Sequence, residues 1–217
     1  MLISILLALA LIMISNGFDC GCTGSDDYDD TEKKPVIYLY PEEDDTSIKV
    51  SLDYDGTFIT VYPEFNSESD YTWEFVADHD GTITIDGKDY GYLFWEGGHE
   101  SEYTIDSGYC VARDDLVPFL EEKLETLGLT DKEMDDFITF WLPELSKDEY
   151  AVISFDNSQY LEISGLNIDP MPDTLIRVFM TYTSSDVPVE IKEPEGTTVT
   201  PAREGFTVVE WGGCEVD

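Results

Sequence analysis

The sequence predicts an α+β protein: mainly an antiparallel β-sheet or sandwich, with a two-helix insertion packed on one face. Three observations lead there. Short apolar runs broken by Gly, Pro and Asp-Gly pairs fill residues 35–106 and 150–213, at the spacing of strands. Between them, residues 114–146 switch to apolar steps of three and four, the helical period. A chain of 217 residues, 42% hydrophobic and 13% aromatic, is also large enough to bury one substantial core. One domain over residues 35–217 follows, behind a leader (1–19) and an acidic tether (20–34).

Leu2–Ile14 is apolar except for Ser4, and Ser15, Asn16 and Gly17 follow it. A helix of that length covers about 20 Å. The hydrocarbon core of a bilayer is roughly 30 Å thick, so the run fits a signal peptide better than a span. No Lys or Arg precedes it. Cys20 and Cys22 come next, and a thiol at this place resembles the lipidation cysteine of bacterial lipoproteins. Phe18 and Asp19 are not the small residues usual before such a cysteine, which leaves open whether Cys20 or Cys22 is modified. Thr23–Lys34, with Asp26, Asp27, Asp29 and Asp30, reads as a flexible tether. The expected location is the cell envelope or extracellular surface, lipid-anchored or secreted, with the membrane met only through the anchor.

Val36-Ile37-Tyr38-Leu39-Tyr40 is a buried-strand run ended by Pro41 and the turn Glu42–Asp45. Ile48, Val50 and Leu52 alternate with Lys49, Ser51 and Asp53. Asp55-Gly56 then reads as a hairpin turn returning through Thr57–Tyr62, because glycine takes positive φ freely. Tyr71–Val76, Thr82–Ile85 and Tyr90–Trp95, with Asp80-Gly81 and Asp86-Gly87 between them, extend this into an antiparallel meander. Asp53/Asp55 and Asp78/Asp80 invite a calcium reading. The glycine that such a loop needs at its sixth position is Phe58 or Ile83, so both are read as ordinary turns.

Asp114 and Asp115 are N-cap candidates for a helix with Leu116, Leu120, Leu124 and Leu127 on one stripe and Gly128 as its stop. Thr130-Asp131-Lys132-Glu133 is a capping box that opens a second helix, which carries Met134, Phe137, Ile138, Trp141 and Leu142. Pro143 should kink or end it. Beyond, Tyr150–Phe155, Tyr160–Ile163, Leu175–Tyr182 and Phe206–Trp211 read as strands. Val187–Pro201, rich in Pro, Glu and Thr, reads as an exposed connection.

Two stretches look like a site: Tyr92-Leu93-Phe94-Trp95-Glu96-Gly97-Gly98 and Val208-Val209-Glu210-Trp211-Gly212-Gly213. Each is an apolar run stopped at a glutamate, a tryptophan and two glycines. Alternation puts Glu96 on the face of Tyr92 and Phe94, and Glu210 on that of Phe206 and Val208. A desolvated carboxylate has a raised pKa and suits a general acid, so the two are candidate catalytic carboxylates of the glycosidase kind. His99, Glu100 and Glu102 form a candidate set for a divalent cation. The plainer reading is a carboxylate that caps strand-end N–H groups or guards a sheet edge. Cys110 and Cys214 are either a disulfide between the chain's middle and its end or two buried thiols.

The charge balance, 48 acidic against 11 basic side chains, gives a net −37. Such a surface repels phosphate, which excludes nucleic acid as a partner. Solubility of a secreted protein, a saline habitat and cation binding are the remaining readings of the charge. With only His79 and His99 and no Gly-x-Ser-x-Gly, P-loop or dinucleotide fingerprint, neither a nucleophilic triad nor a cofactor is expected.

Lys34-Pro35-Val36-Ile37-Tyr38-Leu39-Tyr40-Pro41, Tyr92–Gly97 and Gly205–Gly213, with the helical Phe140-Trp141-Leu142-Pro143, resemble a family of bacterial proteins without an assigned reaction. Its members are often exported or lipoprotein-like. The resemblance covers roughly residues 34–213 and implies an envelope location, but no catalytic residue or ligand. Together these readings give an exported, lipid-anchored binding or structural module at the cell surface. The alternative is a surface hydrolase acting on glycans through Glu96 and Glu210.

Overall fold

Val36-Ile37-Tyr38-Leu39 is apolar at every position, so a strand made from it needs cover on both faces. The computed structural model describes residues 30–67, 70–195 and 200–216, with backbone alone for 30–34, and supplies that cover. A seven-stranded sheet has the order β3 (Thr57–Tyr62), β7 (Leu93–His99), β1 (Asp30–Tyr40), β12 (Thr207–Glu215), β11 (Thr174–Ser185), β9 (Tyr150–Ser154), β8 (Tyr109–Ala112). A five-stranded sheet has the order β10 (Ser164–Asp169), β2 (Thr46–Tyr54), β4 (Thr72–Ala77), β5 (Ile83–Ile85), β6 (Lys88–Tyr90). The larger sheet is the middle layer. Its Ile37 and Leu39 share a core with Val50 and Trp73 of the smaller sheet. On its other face, Val36 and Tyr38 pack with Leu120 of α1 (Leu116–Thr126) and Trp141 of α2 (Asp131–Leu145). All four tryptophans are fully buried. The expected α+β class holds, with the helix pair on one face as the sequence implied.

Pairing is antiparallel throughout the described strands except between β11 and β12, which run parallel in register from Thr174↔Thr207 to Tyr182↔Glu215. The three stretches of the sequence resemblance are neighbours: β1 lies between β7 and β12, with Ile37 opposite both Leu93 and Glu210.

Several expectations change. Residues 35–106 are not one meander, because consecutive strands alternate between sheets and only β4, β5 and β6 run on as neighbours. Asp55-Gly56 therefore carries the chain from one sheet to the other rather than closing a hairpin, since β2 pairs β4 and β10 while β3 pairs β7. The run Tyr90–Trp95 is split at Gly91 for the same reason, and the hairpin turn at Asp86-Gly87 (φ 50° and 77°) joins β5 to β6. Tyr160–Ile163 belongs to a short helix, α3 (Ser158–Ile163), and Pro143 sits inside the last turn of α2 without ending it. Strand pairing already includes Asp30, inside the expected tether.

The paired glycines do not stop their strands either. Both β7 and β12 continue through them. A Cβ on Gly97 would lie 2.4 Å from the Tyr54 ring, and one on Gly213 would lie 2.6 Å from the Met180 carbonyl and 2.9 Å from the Trp141 ring. The glycines are flat places where aromatic rings from the adjoining layers lie on the sheet. Gly213→Ala should cost about 1–3 kcal/mol in urea unfolding, because the Met180 carbonyl is backbone and cannot withdraw. A change below ~0.5 kcal/mol would mean that the ring does not lie there.

The helices are fixed by local chemistry and one buried charge. Leu116, Leu120 and Leu124 face the sheet, and Gly128 (φ +95°) turns the chain into α2. Asp115 is at the N-cap of α1 but makes no capping bond with its side chain. At α2, the Thr130 N–H donates to Glu133 Oε2 at 2.8 Å, the carboxylate half of the expected capping box. Glu133 is fully buried and held by both terminal nitrogens of Arg203, at 2.8 and 2.9 Å. Burial works against the Glu133 charge, but the Arg203 bonds and the Thr130 N–H outweigh it and hold the carboxyl below its ordinary value. Its contribution is thus complete above the ordinary pKa of 4.5 and is lost as pH falls through the lower folded value. Chemical denaturation of the wild type and Arg203→Ala should differ most at neutral pH, with the gap closing below about pH 4.5. A gap that stayed constant down to the acid transition would contradict this coupling.

Candidate functional site

Glu210 stands on β12 beside Val208, facing the smaller sheet as alternation requires, and is 1% exposed. Its register partner on β11 is Arg177, whose Nε donates to Glu210 Oε2 at 2.5 Å. The same guanidinium donates from Nη1 to the Ser164 carbonyl at 2.9 Å and lies 4.9 Å over the Tyr160 ring, which stacks on Phe179 at 4.0 Å. Burial opposes the Arg177 charge, and the Glu210 carboxylate more than reverses that, so the guanidinium is held more basic than usual. The pair is a buried clamp between α3–β10 and the middle sheet, with the counter-charge already in place.

Glu96 does not join it. On β7, Leu93 and Trp95 face the smaller sheet, so Glu96, one residue on, faces the opposite side with Phe94, partly exposed. Glu96 and Glu210 therefore lie on opposite faces of one sheet, with β1 between their strands. The pairing of these carboxylates across one cleft is corrected: the layers separate them.

The candidate metal set is also not assembled. His99 is 2% exposed, edge-on to Tyr54 and Tyr103, and its Nδ1 accepts the Ser101 N–H at 3.1 Å. Glu100 and Glu102 point to solvent. No group of three metal-type side chains is gathered among the described residues. Asp80 and Asp78 serve their turn instead: Asp80 Oδ1 accepts the Thr82 N–H at 2.9 Å, and the Asp78 carbonyl accepts that of Gly81 at 2.9 Å. Neither Cys110 nor Cys214 is in a disulfide. They lie on β8 and β12, three strands apart, which is about 14 Å at the usual strand spacing and beyond disulfide reach. Cys20, Cys22 and the expected leader (1–19) lie outside the described residues.

One cavity, of about 390 Å³, lies beside His99 and Glu100, and three more gather along residues 186–195. The parallel β11–β12 pair needs a crossover, and here it is made without helix or strand among the described residues. Unstructured connections of that length are uncommon and are often functional. Residues 186–195 follow the β8 edge and pass α1, and Arg203 near the start of β12 is held by Glu133. The three cavities open against residues 186–195. One of about 430 Å³ is lined by Tyr109, Cys110, Phe119 and Ile191. One of about 300 Å³ is lined by Tyr109, Lys123, Leu127, Phe155, Asp156 and Glu195. One of about 470 Å³ is lined by Tyr103, Ile105, Ser184 and Val189. Between the first two, Lys123 Nζ lies 4.4 Å from the centroid of Tyr109, which packs on Phe119 at 5.2 Å. Aromatic and aliphatic walls with a few charged groups are the composition of ligand sites. The sequence reading passed over Tyr109, Phe119, Lys123 and Phe155 as site residues. β8 is four residues long and leaves no periodic signal, and the visible clue was the length of the connection itself.

The clamp yields a direct test. Glu210→Ala or Arg177→Ala alone should destabilise by about 3–5 kcal/mol, each leaving a buried charge unmatched, while Glu210→Leu with Arg177→Met should recover most of that loss. Equal effects from the single and double variants in denaturant unfolding would contradict it.

No family model matches the chain, and no solved structure matches it. A protein from Butyrivibrio fibrisolvens described as "Uncharacterized protein in bglA 3'region" is 55% identical over 78 residues, which are 36% of this chain and 79% of that protein. At that identity and coverage, the chain belongs to the same family as the Butyrivibrio fibrisolvens protein.

Proposed function

We propose that this is an exported, lipid-anchored binding protein of the cell surface. Its binding face is the concave edge formed by β8, α1 and residues 186–195. The observation that carries the reading is the gathering of three cavities along one long connection, with aromatic walls and one lysine. Export and anchoring are supported by the apolar run Leu2–Ile14 followed by Cys20 and Cys22, and the net charge of −37 suits a solvated surface. The hydrolase alternative loses its geometric basis with Glu96 and Glu210 on opposite faces.

Replacing Cys20 and Cys22 singly and together by Ser should move the protein from the membrane fraction to the medium for the anchoring residue and for the double variant. Retention of the double variant in the membrane fraction would refute anchoring. Binding is tested with isolated cell envelope as the probe. The soluble domain should sediment with envelope, and Tyr109→Ala should reduce that at least tenfold in a domain that still unfolds cooperatively. Undiminished sedimentation of that variant would place the binding face elsewhere.

A further inference from the structure

The edge of β8 is the end of the seven-stranded sheet. Arg113 N–H bonds inward to the Glu149 carbonyl at 2.9 Å, and Tyr109 and Val111 share its parity. Gly108, Cys110 and Ala112 accordingly turn their backbone groups outward, where a further strand would pair. Residues 187–195 run along this side and return little to it. Gly108 N–H donates to the Lys192 carbonyl at 2.9 Å, the one backbone bond between the two among the described residues, and Val189 N–H donates to Cys110 Sγ at 3.2 Å. The segment has a strand-like pattern, Val189-Glu190-Ile191-Lys192, but Pro188 and Pro194 bracket it and cannot donate to a ladder. It packs loosely too. Cavities of about 430 and 470 Å³ both border Val189, Glu190 and Ile191, and Val187 is 63% exposed.

We infer that residues 187–195 are a displaceable strap, and that it makes way for an extended cationic peptide that adds to β8 as an eighth strand. Main-chain pairing at an open edge supplies affinity in such additions, and alternate side chains supply selectivity. The strap indicates what the edge accepts: β-branched residues at alternate positions. The charge of the occupant follows from its surroundings. Asp115 on the α1 side of the groove stays in place when the strap leaves, on a chain with net charge −37, so alternating lysines complement it. A fixed edge guard, the other use of such a segment, would not open. This deepens the surface-binding reading and rests on it for its biological setting.

A disulfide lock tests the strap in the full-length chain. Val189→Cys places a thiol beside Cys110, so oxidation ties the strap to β8 and reduction frees it. The probe is a short synthetic peptide alternating valine with lysine, followed by fluorescence anisotropy. It should bind the wild type and the reduced variant, bind the oxidised variant at least tenfold more weakly, and recover on reduction. A valine–glutamate peptide should bind the wild type at least tenfold more weakly than the lysine peptide. A second variant, with 187–195 replaced by a Gly/Ser linker, should bind more tightly than the wild type, because no closed fraction competes. No binding to the wild type, equal binding in the locked and reduced states, no charge preference, or weaker binding by the linker variant would each overturn the inference. Peptide binding with no envelope binding would fail the surface reading alone, and envelope binding unaffected by the lock would fail the strap alone.

Discussion

The placement of β1 between β7 and β12 is the contact on which the rest of the structure depends. It joins residues far apart in the chain into three adjacent strands, buried on both faces by the smaller sheet and the helix pair. Such pairing is costly in chain entropy and gains its stability only when both faces are covered. The flat glycines Gly97 and Gly213 belong to the same solution. They let Tyr54 and Trp141, one from each outer layer, lie directly on the strands that flank β1. The stretches that look most like an active site in the sequence are thus the seam of the molecule.

Buried charge follows the same logic. Arg177–Glu210 and Arg203–Glu133 each fasten an outlying element to a core layer: the first α3 and β10, the second the end of the crossover and the start of α2. A glutamate in an apolar strand looks catalytic when its partner is invisible. Arg177 lies thirty-three residues upstream of Glu210, and only the parallel register of β11 and β12 brings the two opposite one another.

Much of the fold was legible for local reasons. The leucine stripe of α1, the Thr130–Glu133 capping box and the alternation of β2 each carry their own signal, and the face occupied by Glu210 followed from counting along its strand. What was not legible was the assignment of strands to sheets. Asp55-Gly56 looks like a hairpin turn whether the chain returns beside itself or crosses a layer, and Gly91 gives no sign that it divides two strands. Tyr160–Ile163 is apolar enough for a strand, yet Tyr160 is used at the layer interface to stack on Phe179 and meet Arg177. The candidate binding edge was hidden most fully, since β8 is short and its neighbours come from α1 and a connection without periodicity.

A division follows, between a tightly paired centre that carries the glutamate–tryptophan–glycine stretches and a loosely held edge, the one proposed for binding. Amide hydrogen exchange resolved along the full-length chain tests that division most directly. Amides of β1 and β12 should exchange only through global unfolding, while those of 187–195, with Gly108 and Cys110 behind them, exchange orders of magnitude faster through local opening. Protection at 187–195 equal to that of β1 would contradict it.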